Sequence, residues 1–354
     1  SPPGTHWRPR CGLTSNATGA WVDETNGELF SDRDRPAPYV GGTKGSHLIL
    51  DHPQLLEALN GHMIYFENID GRVCILFPYL GRVLLGSTDI RVDSLGEVRC
   101  EDDEVDYILK SLSYVFPRIS VRPENIVYRY SGVRPLPSSE ARFTGSISRD
   151  HFVAEIAGST PVLCLVGGKW TTFRAFGEQT ADRALALLGM PRKVTTETRQ
   201  IGGGQDFPAD DRERTALVAE ISRSCGVAPA RATHAIDHYG TLAPAVLQFC
   251  QQTPDTVIPG SCYTENELRY LARHEAARTL ADLLQRRTSL AITGRLTSAA
   301  ITRATAILAD ELGWSEDHTA SEEAAFRARL ARDHGVTELM LIERQRTPGS
   351  FACA

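Results

Sequence analysis

The sequence has no C-x-x-C pair, no excess of positive charge, no long apolar run and no glycine-rich nucleotide fingerprint. The eight cysteines, Cys11, Cys74, Cys100, Cys164, Cys225, Cys250, Cys262 and Cys353, are widely scattered. Neither a paired-cysteine zinc site nor a disulfide framework is expected from them, and a reducing compartment suits them better. Lys+Arg 38 against Asp+Glu 44 leaves a net charge of −6. That argues against non-specific nucleic-acid binding, which needs a basic footprint, but leaves room for a local basic pocket. Residues 1–10 are polar and proline-rich, and no signal peptide is expected from them. No stretch approaches the ~20 apolar residues of a spanning helix; the richest, 73–86, is interrupted by Pro78, Gly81 and Arg82. Peripheral membrane contact stays open. Neither a P-loop nor G-x-G-x-x-G occurs, and His274-Glu275 is followed at the zinc-protease position by Arg278. No metal site is expected.

The chain has 354 residues, 42% of them hydrophobic. That is enough apolar content for a packed core in roughly two domains of ~150 residues. Strand patterns at 42–51, 63–67, 73–77 and 83–86, separated by Asp-Gly and Leu-Gly turns, predict an antiparallel meander. Val105, Ile108, Leu109, Leu112 and Phe116 recur at helical spacing over 101–116, with four acidic residues at the helix start. Strands follow at 126–130, 152–156 and 162–166, and a helix at 170–188. The glycine-rich 201–208 segment reads as a domain boundary. Beyond it strand signals vanish, and helices are expected over 210–224, 229–239, 243–252, 264–287, 297–312 and 319–332. Thr264 and Glu267 fit a capping box at the start of the 264–287 helix.

Three local features could carry chemistry. The 162–166 strand runs into Gly167, Gly168 and Lys169 and then a helix whose first turn holds Thr171 and Thr172. Free N–H groups and the dipole of a helix start favour an anion, and the glycines let a ligand approach the backbone. Taken alone, a tight turn with a solvated lysine explains the pattern slightly better. Arg134, held extended by Pro135, could clamp a phosphate or carboxylate in two-point fashion; alone, a surface arginine is the simpler reading. His47 could serve as a base, although single histidines are more often structural. The 16–21 segment, NATGAW, is a small-residue turn where backbone comes close to something. Arg286 and Arg287 end the long helix, where cations suit the dipole.

Taken in order, NATGAW at 16–21, TKGSHLIL at 43–50, FPYLGRVLLGSTD at 77–89, YSGVRPL at 130–136, SRDH at 148–151, GGKWTTFR at 167–174 and DLLQRRT at 282–288 form a connected set. The chain resembles the FAD-dependent, quinone-linked glycerol-3-phosphate dehydrogenase family from about Asn16 to beyond Thr288. It departs from that family in lacking the G-x-G-x-x-G unit for the FAD pyrophosphate, which implies an N-terminally truncated chain. The implied fold is α+β: a remnant of the FAD-binding α/β domain, an antiparallel-sheet substrate domain and an all-helical C-terminal domain. The implied spans are 1–40 for the end of the FAD domain and 41–140 for the substrate domain. Residues 141–200 would form the return strand and helix of the FAD domain, and 201–354 the helical domain.

The resemblance also implies roles. His47 would sit beside the flavin and the substrate hydroxyl, Arg134 would bind the substrate phosphate, and Lys169 would face both substrate and flavin. Ala17, Thr18 and Gly19 would lie close to the flavin, and Gly168, Lys169, Thr171 and Thr172 near its N1/O2 edge. The implied reaction oxidises glycerol 3-phosphate to dihydroxyacetone phosphate, with electrons passed to a membrane quinone. The implied protein is a cytoplasmic homodimer, peripheral on the membrane face, with no nucleic-acid partner. Two alternatives are an oxidase using oxygen on the same scaffold and a non-catalytic fragment unable to hold FAD.

Overall fold

The structure, a computed structural model, describes residues 11–346 apart from 32, 93, 94, 97 and 139–149. The first two residues of the SRDH motif and Cys353 lie outside the described residues. Strand β1 (Thr14–Asn16) leads through a 3-10 turn, Gly19–Trp21, into helix α1 (Val22–Leu29). Then come β2 (Thr43–Leu50), α2 (Pro53–Leu59), β3 (Ile64–Glu67), β4 (Val73–Tyr79), β5 (Arg82–Gly86) and β6 (Ile90–Arg91). Helix α3 (Asp102–Val115), β7 (Ile126–Arg134), β8 (His151–Ile156), β9 (Val162–Gly167) and α4 (Phe173–Leu187) follow. The rest is helical: α5 (Asp211–Cys225), α6 (Pro229–Tyr239), α7 (Ala243–Cys250), α8 (Glu265–His274), α9 (Ser298–Leu312), α10 (Glu316–His334) and α11 (Glu338–Arg346).

Two sheets organise the first half. The larger is antiparallel, in the order β3-β4-β5-β2, with β6 continuing the line of β5 against Thr43 and Lys44 and with β7 on the other flank of β2. The expected meander is therefore confined to β3, β4 and β5. The first strand of this sheet in sequence, β2, sits in its interior, buried on both faces. The smaller sheet, β1-β9-β8, pairs β1 with β9 in parallel and β8 with β9 as a hairpin.

Alternation along β2 divides the core. Leu48 and Leu50 point to one face and pack with Leu55, Leu76, Val83, Leu85, Ile108 and Leu112 under α2 and α3. Ile49 points to the other face and joins Leu84, Tyr128, Leu268, Leu284 and Ile301 in a core shared with the helical region. Helix α3 starts at a capping box in which Glu101 and Glu104 exchange bonds, and α8 starts at the expected box of Thr264 and Glu267. Cys11, Cys74, Cys100, Cys164, Cys225 and Cys250 are free thiols, and Cys262 is disulfide-bonded, so one bridge departs from the reduced reading. Among the described residues, no helix is long and apolar enough to cross a membrane.

The single helix expected over 264–287 is two pieces. Helix α8 stops at His274, and the chain turns through Ala276 at φ 53 before a π-helical turn, Asp282–Arg287. The leucines keep one stripe because the second piece realigns, which hid the break from the periodicity. Asp282 accepts from the N–H groups of Arg278 and Thr279, and Arg287 donates to the Glu275 carbonyl, so the interruption is itself hydrogen-bonded. An L residue at Ala276 is strained there. Ala276→Gly should therefore stabilise the protein, by about 0.5–1 kcal/mol, seen as a higher urea midpoint at unchanged slope. Helices α1, α2 and α11 were not expected: they are short, and their polar faces carry no strong helical stripe.

Candidate functional site

The site is built on the face of the large sheet that also carries Ile49. Gly45 and His47 of β2 share that face with Tyr128, Tyr130, Gly132 and Arg134 of β7, and the register sets His47 opposite Tyr130 and Gly45 opposite Gly132. The His47 ring stacks on Tyr130 at 5.2 Å between centroids and 10° between planes. On its other side the ring lies over Gly86, the partner of His47 on β5, where a methyl group would collide with the imidazole. Burial, and secondly the Arg134 charge, push the His47 pKa down to about 4. The imidazole is consequently neutral at ordinary pH and able to accept a proton. Its Nδ1 is buried without a hydrogen-bond partner.

Arg134 reaches back across β2. Its guanidinium lies on Gly45, where a methyl group would collide with it, and ends on the 87–89 segment linking β5 to β6. There Nη1 donates to Asp89 Oδ1 at 3.1 Å, and Nη2 donates to Ser87 Oγ at 2.9 Å and the Thr88 carbonyl at 3.2 Å. The glycines of KGSH and LLGST thus have one explanation each: they let an arginine and a histidine lie flat on the sheet. Gly132, beside them on β7, is exposed and has no atom within 4 Å of where a side chain would start. An imidazole and a guanidinium therefore stand about one pleat apart, roughly 7 Å at ~3.3 Å rise per residue, beside the open Gly132 of β7.

The second group of expected residues gathers on the small sheet. β1 and β9 run parallel, and the turns that follow them, 17–19 and 167–169, leave at the same C-terminal edge, where open α/β sheets bind ligands. Asn16 anchors the first turn: its buried amide donates to the Val22 carbonyl and Asn26 Oδ1, and its Oδ1 accepts from the Thr18 hydroxyl at 2.7 Å. Gly167 and Gly168 both have positive φ, and a methyl at Gly167 would meet the Asp150 carbonyl. Lys169 donates its N–H to Thr172 Oγ1 at 3.1 Å, opening the 3-10 turn Trp170–Thr172 ahead of α4. Trp170 is 90% exposed beside it, and Phe173 is also exposed.

The structure brings His47 and Arg134 together, and brings Ala17, Thr18 and Gly19 to the edge that carries Gly168, Lys169, Thr171 and Thr172. Lys169 itself is exposed at the end of β9 on the small sheet. The 3-10 turn Gly19–Trp21 touches both β9 and β7 and so connects the two groups. Tyr130, Ser87 and Asp89 were not picked out as site residues. Period-two alternation in YSGVR does place Tyr130 with Arg134, but Ser87 and Asp89 are reached only through the tertiary path of the Arg134 side chain. Among the described residues, no cluster of three or more ligating side chains could hold a metal.

Whether the small-sheet edge suits a flavin can be judged from its own backbone. A helix start and the exposed Thr171 hydroxyl fit the pyrimidine end of the ring. The sequence carries no motif for the pyrophosphate, so the fit covers one end of the cofactor.

The family described as "FAD dependent oxidoreductase" matches residues 4–174, and that described as "C-terminal domain of alpha-glycerophosphate oxidase" matches 194–319. A glycerol-3-phosphate dehydrogenase of Synechocystis is 30% identical over 324 residues, 86% of this chain and 56% of that protein. One from Mycobacterium leprae is 28% identical, over 89% of this chain and 52% of that protein. A D-erythritol 1-phosphate dehydrogenase of Brucella abortus is 29% identical, over 80% and 55%. A solved glycerol-3-phosphate dehydrogenase from Bacillus halodurans, complexed with FAD, superposes with a TM-score of 0.74 at 23% identity, over 92% of this chain and 63% of that one. The chain thus spans about half the length of the curated relatives it matches.

Proposed function

The chain belongs to the FAD-dependent glycerol-3-phosphate dehydrogenase family, and from that premise we propose that it forms the substrate half of a site oxidising glycerol 3-phosphate to dihydroxyacetone phosphate. The observation that carries this reading is the shared face of His47 and Arg134: a neutral base and a fixed cation, separated by a glycine floor, suit a short phosphorylated alcohol. Arg134 holds the phosphate with its charge and two nitrogens. That fixes the distance from the phosphate to the carbinol and delivers the C2 hydroxyl to His47. The imidazole takes the hydroxyl proton as the C2–H bond breaks, a contribution of perhaps ~10²–10⁴-fold in rate. Orientation on a rigid sheet supplies more.

FAD, when bound, supplies the two-electron acceptor for the hydride leaving C2. Gly168, Lys169, Thr171 and Thr172 would hold its pyrimidine edge, and Ala17, Thr18 and Gly19 would lie against the ring. A positive helix start beside that edge favours the reduced, negatively charged cofactor. A membrane quinone is the proposed final acceptor.

The test uses the purified chain supplemented with FAD. Calorimetric titration with glycerol 3-phosphate should show saturable binding, and an artificial acceptor should be reduced only when the substrate is present. Hydrogen peroxide at close to one equivalent per turnover would replace the quinone with oxygen. A colourless protein that takes up no flavin and binds no glycerol 3-phosphate would defeat the reading.

A further inference from the structure

On the far side of β2 from His47 and Arg134 lies a buried polar cluster that the proposed chemistry does not use. Its centre is Glu104, 2% exposed near the start of α3. Lys44 Nζ is 2.6 Å from Glu104 Oε2, which also accepts from the Glu101 N–H at 3.0 Å. Oε1 accepts from the hydroxyls of Thr88 at 2.7 Å and Ser46 at 2.8 Å. The Thr88 hydroxyl in turn accepts from the Ser46 N–H at 2.9 Å, and the Ser46 hydroxyl meets that of Ser131 at 2.6 Å. Burial works against ionising Glu104, but the bonds from Lys44, Glu101, Thr88 and Ser46 outweigh it and hold the carboxyl below its usual value.

Thr88 is where this cluster meets the site. Its side chain points down to Glu104 and pins the 87–89 segment onto β2 between Gly45 and His47. The same segment presents the Ser87 hydroxyl, the Thr88 carbonyl and the Asp89 carboxylate, which hold the Arg134 guanidinium from above. The 87–89 segment has little regular pairing of its own, so its height over β2 depends on that hydroxyl.

We propose that Thr88 is a positioning residue: through its hydrogen bonds to Glu104 and Ser46 it holds the 87–89 segment where Arg134 can lie across Gly45 beside His47. The proposal rests on the functional reading above only for what Arg134 binds; the placement of Arg134 is a property of the chain by itself. Thr88→Val keeps the shape and removes the hydroxyl, leaving the pair of Lys44 and Glu104 intact, whereas Thr88→Ser keeps the hydroxyl. Two measurements are made on the full chain supplemented with FAD, calorimetric affinity for glycerol 3-phosphate and the NMR titration of the His47 imidazole.

The expected result is at least fivefold weaker binding in Thr88→Val and recovery to within twofold of the parent in Thr88→Ser. The His47 midpoint should rise in Thr88→Val only, since a displaced guanidinium neither repels the protonated ring nor shields it from water. Parent-like binding and an unmoved midpoint in Thr88→Val would overturn the proposal. So would equal damage in the two variants, because the hydroxyl would then not be the agent. If the parent binds no glycerol 3-phosphate, the functional reading fails and the midpoint alone decides: a rise confined to Thr88→Val upholds the positioning role, and no rise ends it.

Discussion

Replacing Arg134 with alanine should weaken glycerol 3-phosphate binding by about 100-fold or more while leaving the fold in place. The guanidinium lies on the site face next to His47, and it is fixed by three acceptors on the 87–89 segment. A charge-assisted hydrogen bond contributes roughly 1.5–3 kcal/mol, so losing a two-point clamp on a phosphate costs about 3 kcal/mol or more. At ~1.4 kcal/mol per tenfold that is two orders of magnitude. Arg134→Lys should recover only part of it, since an ammonium restores the charge without the planar fork. Asp89 loses its partner in the alanine variant, so thermal stability is measured alongside affinity. Affinity unchanged in Arg134→Ala would remove this residue, and the phosphate with it, from the site. An equal loss for glycerol 3-phosphate and for uncharged glycerol would point to a general collapse of the face instead.

The second large effect is on stability. In the helical region, Glu267 is fully buried and accepts from His234 Nε2 at 2.9 Å, Tyr239 OH at 2.7 Å and Arg231 Nη1 at 2.5 Å, besides capping α8. Glu267→Ala leaves the half-buried Arg231 without its counter-charge and the buried His234 without its acceptor, and should cost about 3–5 kcal/mol, read as a lower denaturant midpoint. The pH dependence carries the same signature. Burial alone would raise the Glu267 pKa, but the bonds and charges of His234 and Arg231 and the Tyr239 hydroxyl bring it down to about 2. A carboxyl depressed in the folded state stabilises the protein above its ordinary value near 4.5 and loses that contribution as pH falls through the window towards 2. The parent should therefore lose stability steeply over that window, and Glu267→Ala should show a shallower slope. An unaltered slope would mean that another carboxylate drives acid unfolding.

How much of this could be read from the residues alone depends on the range of the interaction. The run TKGSHLIL ends in three consecutive β-favouring apolar residues after a glycine, and it is a strand; the acidic start and apolar spacing near 102–115 make a helix. These are local signals. The place of β2 between β5 and β7 is not local, because a strand buried on both faces shows no alternation that names its neighbours. The break at Ala276 escaped for a related reason: the left-handed turn is made by an alanine, the residue least expected there, and the leucine stripe resumes after it. At the site, His47 and Arg134 are separable suspicions in sequence, 87 positions apart. They become one site only when β2 and β7 pair. Gly45 and Gly86 look like ordinary strand irregularities until the side chains lying on them are seen. Lys169 is legible from its motif alone, and it stands exposed at the end of β9.

Ile49 follows His47 by two residues on the same side of β2, and Tyr128 precedes Tyr130 by two on β7. Each of those strands is interior wall at one end and working surface at the other, and the wall is closed by leucines from the helical third, with Gln285 donating to the Tyr128 hydroxyl at 3.0 Å. The C-terminal helices are therefore no detachable ornament. Trimming them would strip the lining from the very ribbons on which the imidazole and guanidinium are mounted, and the chemistry would lose its footing before it lost a single reacting group.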